Sequence, residues 1–170
     1  MKAKILLFYS WFIRTFLFFF PDIPICMQFR GWLYGLFMKS CGKNFQVTHD
    51  SIIRDLQQIE VGSHCFVGNG SVIMGGGTIK IEDYVIIGPH AVIISDNHTI
   101  KNGSFKSGPI SCGTIILKRG SWVAANSTMC INSVLPERSV LGANSMMNKE
   151  FIECESIYGG VPARFIKRME

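Results

Sequence analysis

The sequence predicts an all-β solenoid, a chain wound into stacked triangular coils, entered through an apolar helical segment and left through a short helix. Three observations predict it. Aliphatic residues recur every six positions from about Val47 onward. Serines recur at the same interval. The repeat slips by two residues after groups of hexads, as a prism with one bulging corner requires.

Residues 1–40 form a segment unlike the rest. The first apolar run, Ile5 to Ile13, is followed by Arg14 and ends before Pro21. A spanning helix needs about 20 apolar residues, and no small-residue cleavage site follows, as a signal peptide would show. In the second run Ile25, Phe29, Trp32, Leu33, Leu36 and Phe37 keep helical spacing, with Arg30 and Lys39 on other faces. Two readings stay open. Both segments are amphipathic helices at a membrane surface, with Trp, Phe and cations at the interface, or they pack on the main domain or a neighbouring subunit. Gly31 and Gly35 make a G-x-x-x-G too short to decide.

Residues 41–150 carry the repeat. Val61, Val67 and Ile73 are one series of hexads, and Ile81, Ile87 and Ile93 the next. Leu117, Val123, Met129, Leu135, Leu141 and Met147 continue it, with Ser121, Ser127, Ser133, Ser139 and Ser145 each four residues after a member. Ile53 to Val61 and Ile73 to Ile81 are steps of eight, and Ile93 to Leu117 is a step of 24, which is eight plus sixteen. The polar stretch 94–114 is therefore a loop extruded at the same corner. A β-sandwich would show turn signals every ~8–12 residues instead. Residues 151–170 form a tail in which Arg164 and Lys167, three apart, would share one face of a helix.

Composition limits the function. Seventeen basic and twelve acidic residues leave a net charge of +5, which favours anionic ligands or a lipid surface. No basic run of the nucleic-acid kind is present. Six scattered cysteines without a C-x-x-C fit neither a zinc site nor a disulfide framework, and read as reduced thiols of a cytoplasmic protein.

The strings "IEDYVIIGPHAVIISDNH", "ILKRGSWVAANS", "VLGANS" and "IYGGVPARFIK" give the chain a resemblance, from about Gly42 to Lys167, to the hexapeptide-repeat acyltransferases. Their fold is a left-handed parallel β-helix. The chain is most similar in look to sugar O-acetyltransferases of the maltose and galactoside type and to polysaccharide-modifying members. The resemblance implies acetyl-CoA as cosubstrate, no metal, a homotrimer, and a sugar or glycan-precursor acceptor. It also implies a cytoplasmic enzyme, peripheral at the inner face of the cytoplasmic membrane if residues 1–40 touch lipid.

The same resemblance assigns roles. His98, at the start of the extruded loop, would be the general base. An imidazole titrating near the working pH can take a hydroxyl proton and return it to a leaving thiolate, and no G-x-S-x-G elbow competes with it. The backbone N–H of Ala125 would receive the oxyanion, and Asp96 would orient His98. Trp122, Ala125, Gly142, Ala143 and Ser145 match the coenzyme A groove, with Lys149, Arg164 and Lys167 set for its phosphates. Where galactoside-type members place an asparagine on the acceptor, this chain has Gly70 beside Asn69, which leaves the acceptor open. An amino-sugar or serine acceptor and a non-catalytic scaffold are the rivals. The zinc carbonic anhydrases of this shape need an H-x-x-x-x-H pair that this chain lacks, since His90 and His98 are eight apart.

Overall fold

The structure, a computed structural model, describes residues 2–170. Helix α1 (Lys2–Phe16) and helix α2 (Pro24–Gly35) precede the repeat. The first coil is β1 (Ser40–Cys41), β2 (Gln46–Val47) and β3 (Ile52–Ile53). The second is β4 (Ile59–Val61), β5 (Phe66–Val67) and β6 (Val72–Met74), and the third β7 (Thr78–Ile81), β8 (Ile86–Ile87) and β9 (Val92–Ile94). An excursion holding β10 (Asp96–His98) and β11 (Ile110–Cys112) follows. The fourth coil is β12 (Thr114–Leu117), β13 (Trp122–Val123) and β14 (Thr128–Met129), and the fifth β15 (Val134–Leu135), β16 (Val140–Leu141) and β17 (Met146–Met147). Strands β18 (Ser156–Gly159) and β19 (Arg164–Arg168) close the chain.

Strands of successive coils pair in parallel into three sheets, the sides of the prism. The first side is β1-β4-β7-β12-β15, the second β2-β5-β8-β13-β16-β18 with β19 at its edge, and the third β3-β6-β9-β14-β17. The hexad residues become three inward columns. Val61, Ile81, Leu117 and Leu135 stack on the first side. Val47, Val67, Ile87, Val123 and Leu141 stack on the second, and Ile53, Ile73, Ile93, Met129 and Met147 on the third. All are buried, and each contributes about 1.5–3 kcal/mol.

The repeated serines are buried too. Several spend their hydroxyl on a carbonyl of the next coil, as Ser51 does on Gly68, Ser71 on Gly88 and Ser127 on Gly142. The corners turn through left-handed residues, where asparagine is favoured among L-residues: Asn44 between the first two sides, Asn126 and Asn144 between the second and third, Asn132 between the third and first. All three expected irregularities fall at this last corner. They are a 3-10 turn at Leu56–Gln58, the Gly75–Gly77 run, and the long excursion.

The tail corrects one expectation. It is a strand, not a helix: β19 returns antiparallel along β18. A bulge between Ile157 and Tyr158 shifts the register, so Arg164 lies opposite Gly159 and Lys167 opposite Ile157. Those partners are two apart on β18 and share a face. Arg164 and Lys167 therefore do lie on one face, through a bulge rather than a helical turn.

Helix α2 lies directly on the first coil. A Cβ at Gly31 would collide with the Phe45 carbonyl, and one at Gly35 would come 2.9 Å from the Cys41 sulfur. The G-x-x-x-G is thus a close-approach surface for the coil. Arg30, 2% exposed, donates to Asp22 (2.7 Å), to the Val47 carbonyl (3.2 Å) and to the carbonyls of Leu17, Phe20 and Pro21. It closes the C-terminal end of α1, where a cation suits the exposed carbonyls. The inner faces bury Ile13, Met27 and Tyr34, while Phe8, Phe16, Phe19, Ile25 and Trp32 stand exposed on the other side. Among the described residues no helix is long and apolar enough to cross a membrane.

Candidate active site

The excursion carrying His98 is pinned at its root. Ser95, buried, donates its hydroxyl to the Gly77 carbonyl (2.9 Å) and accepts the Gly113 N–H on its own carbonyl (3.0 Å). Asp96 accepts the Gly76 N–H at 2.8 Å. The glycine run below permits this: a Cβ at Gly77 would collide with the Gly113 carbonyl oxygen. Beyond the root, β10 and β11 pair antiparallel with Asp96 opposite Cys112, Asn97 opposite Ser111 and His98 opposite Ile110. Thr99 donates to the Pro109 carbonyl, 2.6 Å from its hydroxyl, and Lys101 bridges Ser104 near the tip. His98 thus rides a two-stranded ribbon leaving the corner between the third and first sides.

The imidazole is exposed and makes no hydrogen bond among the described residues. Asp96 lies two residues away on the same strand face, yet its carboxylate is engaged by Gly76. Through this bond Asp96 anchors the root of the ribbon, and no hydrogen bond joins it to the ring among the described residues.

Ala125 and Ala143 sit at the corner between the second and third sides, one coil above the other. The Ala125 carbonyl accepts the Asn144 N–H at 3.0 Å. Neither alanine's N–H has a backbone acceptor among the described residues. Ala143 is exposed, Ala125 and Gly142 are half-buried, and Trp122 stands 46% exposed on the second side. Ser145 differs: it is buried, its hydroxyl accepts the Gly160 N–H (3.0 Å) and lies 3.4 Å from the Ala143 carbonyl. That hydroxyl builds the corner. Lys149 stacks its ammonium 5.1 Å over the Phe151 ring, and Arg164 and Lys167 are exposed without an ion-pair partner among the described residues.

One chain does not bring these groups together. His98 leaves one end of the third side and Ala125 occupies the other, a six-residue side apart, about 20 Å if fully extended. The main cavities lie around the N-terminal helices and the first side, and none is lined by His98.

A second cluster gave no sign in the sequence. Asp22 accepts from Arg30 and from the His49 N–H (2.9 Å), meets the His49 ring at 2.7 Å, and accepts from Asn69 at 3.1 Å. Asn69 also bonds Asp50 (3.2 Å). His49 is therefore tied down, with Phe18 against its ring. Gly70 makes room for His90, whose imidazole an added Cβ would strike. Burial pushes the Asp22 pKa up, but the hydrogen bonds from His49 and Asn69 outweigh it and hold the carboxyl below its ordinary value.

A lowered folded value means that Asp22 stabilises fully above the ordinary carboxylate pKa of about 4, and that this is lost as pH falls through the folded value. Asp22→Ala is expected to cost about 3 kcal/mol by stranding the Arg30 guanidinium. Denaturant unfolding at neutral pH checks it, and the difference from the parent should shrink in acid.

Among the described residues no three His, Cys, Asp or Glu side chains converge as a metal site would need. The cysteines are unpaired, and burial pushes the Cys65 thiol up to about 11.

The architecture is a hexapeptide-repeat parallel β-helix. No family model matches the chain. Its fold is shared with a hexapeptide-repeat acetyltransferase from Vibrio cholerae O1 biovar eltor, solved with acetyl coenzyme A (20% identity over 99% of this chain and 90% of that one, TM-score 0.84). It is likewise similar to a maltose O-acetyltransferase from Clostridium difficile 630 (20% identity, 99% and 89% covered, TM-score 0.85). A galactoside acetyltransferase in complex with coenzyme A has the same fold (18% identity, 99% and 83% covered, TM-score 0.84). At such identities the likeness establishes the fold.

Proposed function

We propose that this protein is an acetyl-CoA-dependent O-acetyltransferase acting on a hydroxyl of a sugar or glycan precursor. The observation that carries the reading is His98 on a pinned ribbon at the edge of the third coil. The acetyltransferases that share the fold, two of them solved with acetyl coenzyme A or coenzyme A, support it.

In this reading His98 takes the proton of the acceptor hydroxyl as its oxygen attacks the thioester carbonyl. The Ala125 N–H, without a backbone partner, donates to the oxyanion that forms. As the carbon–sulfur bond breaks, His98 returns the proton to the departing thiolate. Trp122, Gly142 and Ala143 would line the groove for the pantetheine arm, with Ser145 shaping its corner from inside. Lys149, Arg164 and Lys167 would meet the phosphates.

The separation of His98 from Ala125 requires the ribbon of one copy to reach the alanine corner of the next, so the working species is an oligomer, a homotrimer by family resemblance. The outward column of Phe66, Ile86 and Trp122 on the second side, with Ile86 and Trp122 each 46% exposed, gives a neighbour an apolar surface to cover. The exposed apolar face of α1 and α2 supports a place at the inner face of the cytoplasmic membrane.

Free-thiol release from acetyl-CoA across a panel of sugars tests the reading. Release with a sugar is the expected result; release only with an amino-sugar amine or with serine would move the acceptor class, and none with any acceptor would leave a scaffold. Arg164→Ala is expected to raise KM for acetyl-CoA roughly tenfold, with a smaller fall in kcat, as loss of a charge-assisted phosphate contact would. An unchanged KM would remove Arg164 from the site.

A further inference from the structure

The chain's charge is unevenly placed. Residues 1–48 hold six basic residues (Lys2, Lys4, Arg14, Arg30, Lys39, Lys43) and one acid, Asp22, for +5. Residues 49–170 hold the remaining 11 basic and 11 acidic residues, for zero. The whole net charge of +5 therefore belongs to the segment that also carries the exposed aromatic face.

Some of that charge gathers at one place. A cleft of about 370 Å³ opens between α1 and β3. Lys4, Leu7, Trp11 and Arg14 line it at i, i+3, i+7 and i+10, one stripe of the helix, and Arg54, just after β3, faces them. No carboxylate lines the cleft among the described residues. Lys4, Arg14 and Arg54 make no ion pair and no side-chain hydrogen bond among the described residues. In the same wall Ser10, 4% exposed, buries a hydroxyl with no partner among the described residues. The nearby acids are engaged: Asp55 accepts the Gly75 N–H and Asp50 the Asn69 amide. Three unpaired cations, an unsatisfied hydroxyl and apolar walls are a site lacking an anion with a hydrocarbon body. Around it Phe8 (64% exposed), Phe16 and Ile5 present bare apolar surface.

We infer that this cleft binds the phosphate of an anionic phospholipid while the surrounding aromatic face of α1 and α2 lies in the bilayer interface. The aromatic and aliphatic side chains enter the boundary between headgroups and acyl chains, and the cations spaced along the cleft attract the lipid phosphate. The inference rests on the membrane placement proposed for residues 1–40 and is independent of the transferase chemistry.

Vesicle flotation of the full chain tests it, with neutral phosphatidylcholine and with the same lipid mixed with phosphatidylglycerol. The parent is expected to float with both and to prefer the anionic mixture. Arg14→Gln/Arg54→Gln should reduce partition into anionic vesicles roughly 25-fold, about fivefold for each cation, and leave the neutral partition and the melting temperature unchanged. Phe8→Ser/Phe19→Ser should weaken both. Lys80→Gln/Lys118→Gln, an equal charge loss on the first side, should change neither.

No flotation with either vesicle would overturn the membrane placement together with the cleft. Flotation without anionic preference, or an equal loss from the Lys80/Lys118 pair, would overturn the cleft alone. Binding of inorganic phosphate to the chain without vesicles, lost in Arg14→Gln/Arg54→Gln while that variant floats on anionic vesicles as the parent does, would show a free-phosphate site instead of a lipid one.

Discussion

His98→Ala lowers the rate of sugar-dependent thiol release by a factor of about 10²–10⁴, the usual contribution of a positioned acid–base group, and leaves KM for acetyl-CoA nearly unchanged. The split follows from where the ring sits. It projects from a ribbon held by backbone pairing, so its removal takes away a proton acceptor without altering the backbone of the ribbon or of the groove corner it would meet on a neighbouring copy. The imidazole is exposed, so melting should not move. His64→Ala is the control: that ring stacks flat on Tyr84 at the corner between the first two sides, and its loss should leave kcat alone. If His98→Ala releases thiol at the parent's rate, another group is the base.

Gly77→Ala is expected to be nearly as damaging without touching a reacting group. The new methyl would strike the carbonyl oxygens of Gly113 and Ser95, both backbone, which cannot swing aside as a side chain can. The excursion must then lift from the third coil, breaking the Ser95 and Asp96 bonds that hold its root. An overpacked core costs ~1–3 kcal/mol, and a displacement of the ribbon by about 1 Å would cost roughly a hundredfold in kcat. A lowered melting temperature together with a fallen kcat, His98 being intact, is the signature to measure. Parent-like kinetics would show that the root does not position the ring.

The columns were legible because an inward side chain every six residues has only one simple geometric meaning, and the two-residue slips showed which corner bulges. The place of His98 beside that corner was legible in the same way. The ribbon's strands were not, because "DNH" and "ISC" are polar and too short for an alternating pattern to register. The tail was misread since residues three apart share a face on a helix, and a bulge reproduces that coincidence on a strand. Gly31 and Gly35 marked a close approach without saying to what, and the answer, the Phe45 carbonyl and Cys41, comes from another element. Asp22 was silent because His49 and Asn69 lie 27 and 47 residues away, and only the winding of two coils brings them to it. The role proposed for Ala125 lies in a backbone N–H, which residue type does not encode.

Mixed oligomers test most directly whether catalysis joins two copies. His98→Ala has a sound groove, and Gly142→Trp, which fills the groove beside Ala143, has a sound imidazole. Each alone should be nearly inactive. Denatured and refolded together in equal amounts, they should regain about a quarter of parental activity, since in a head-to-tail ring one interface in four pairs an intact ring with an open groove. Activity no greater than the sum of the two separate variants would place both groups within one chain and contradict a site shared between copies.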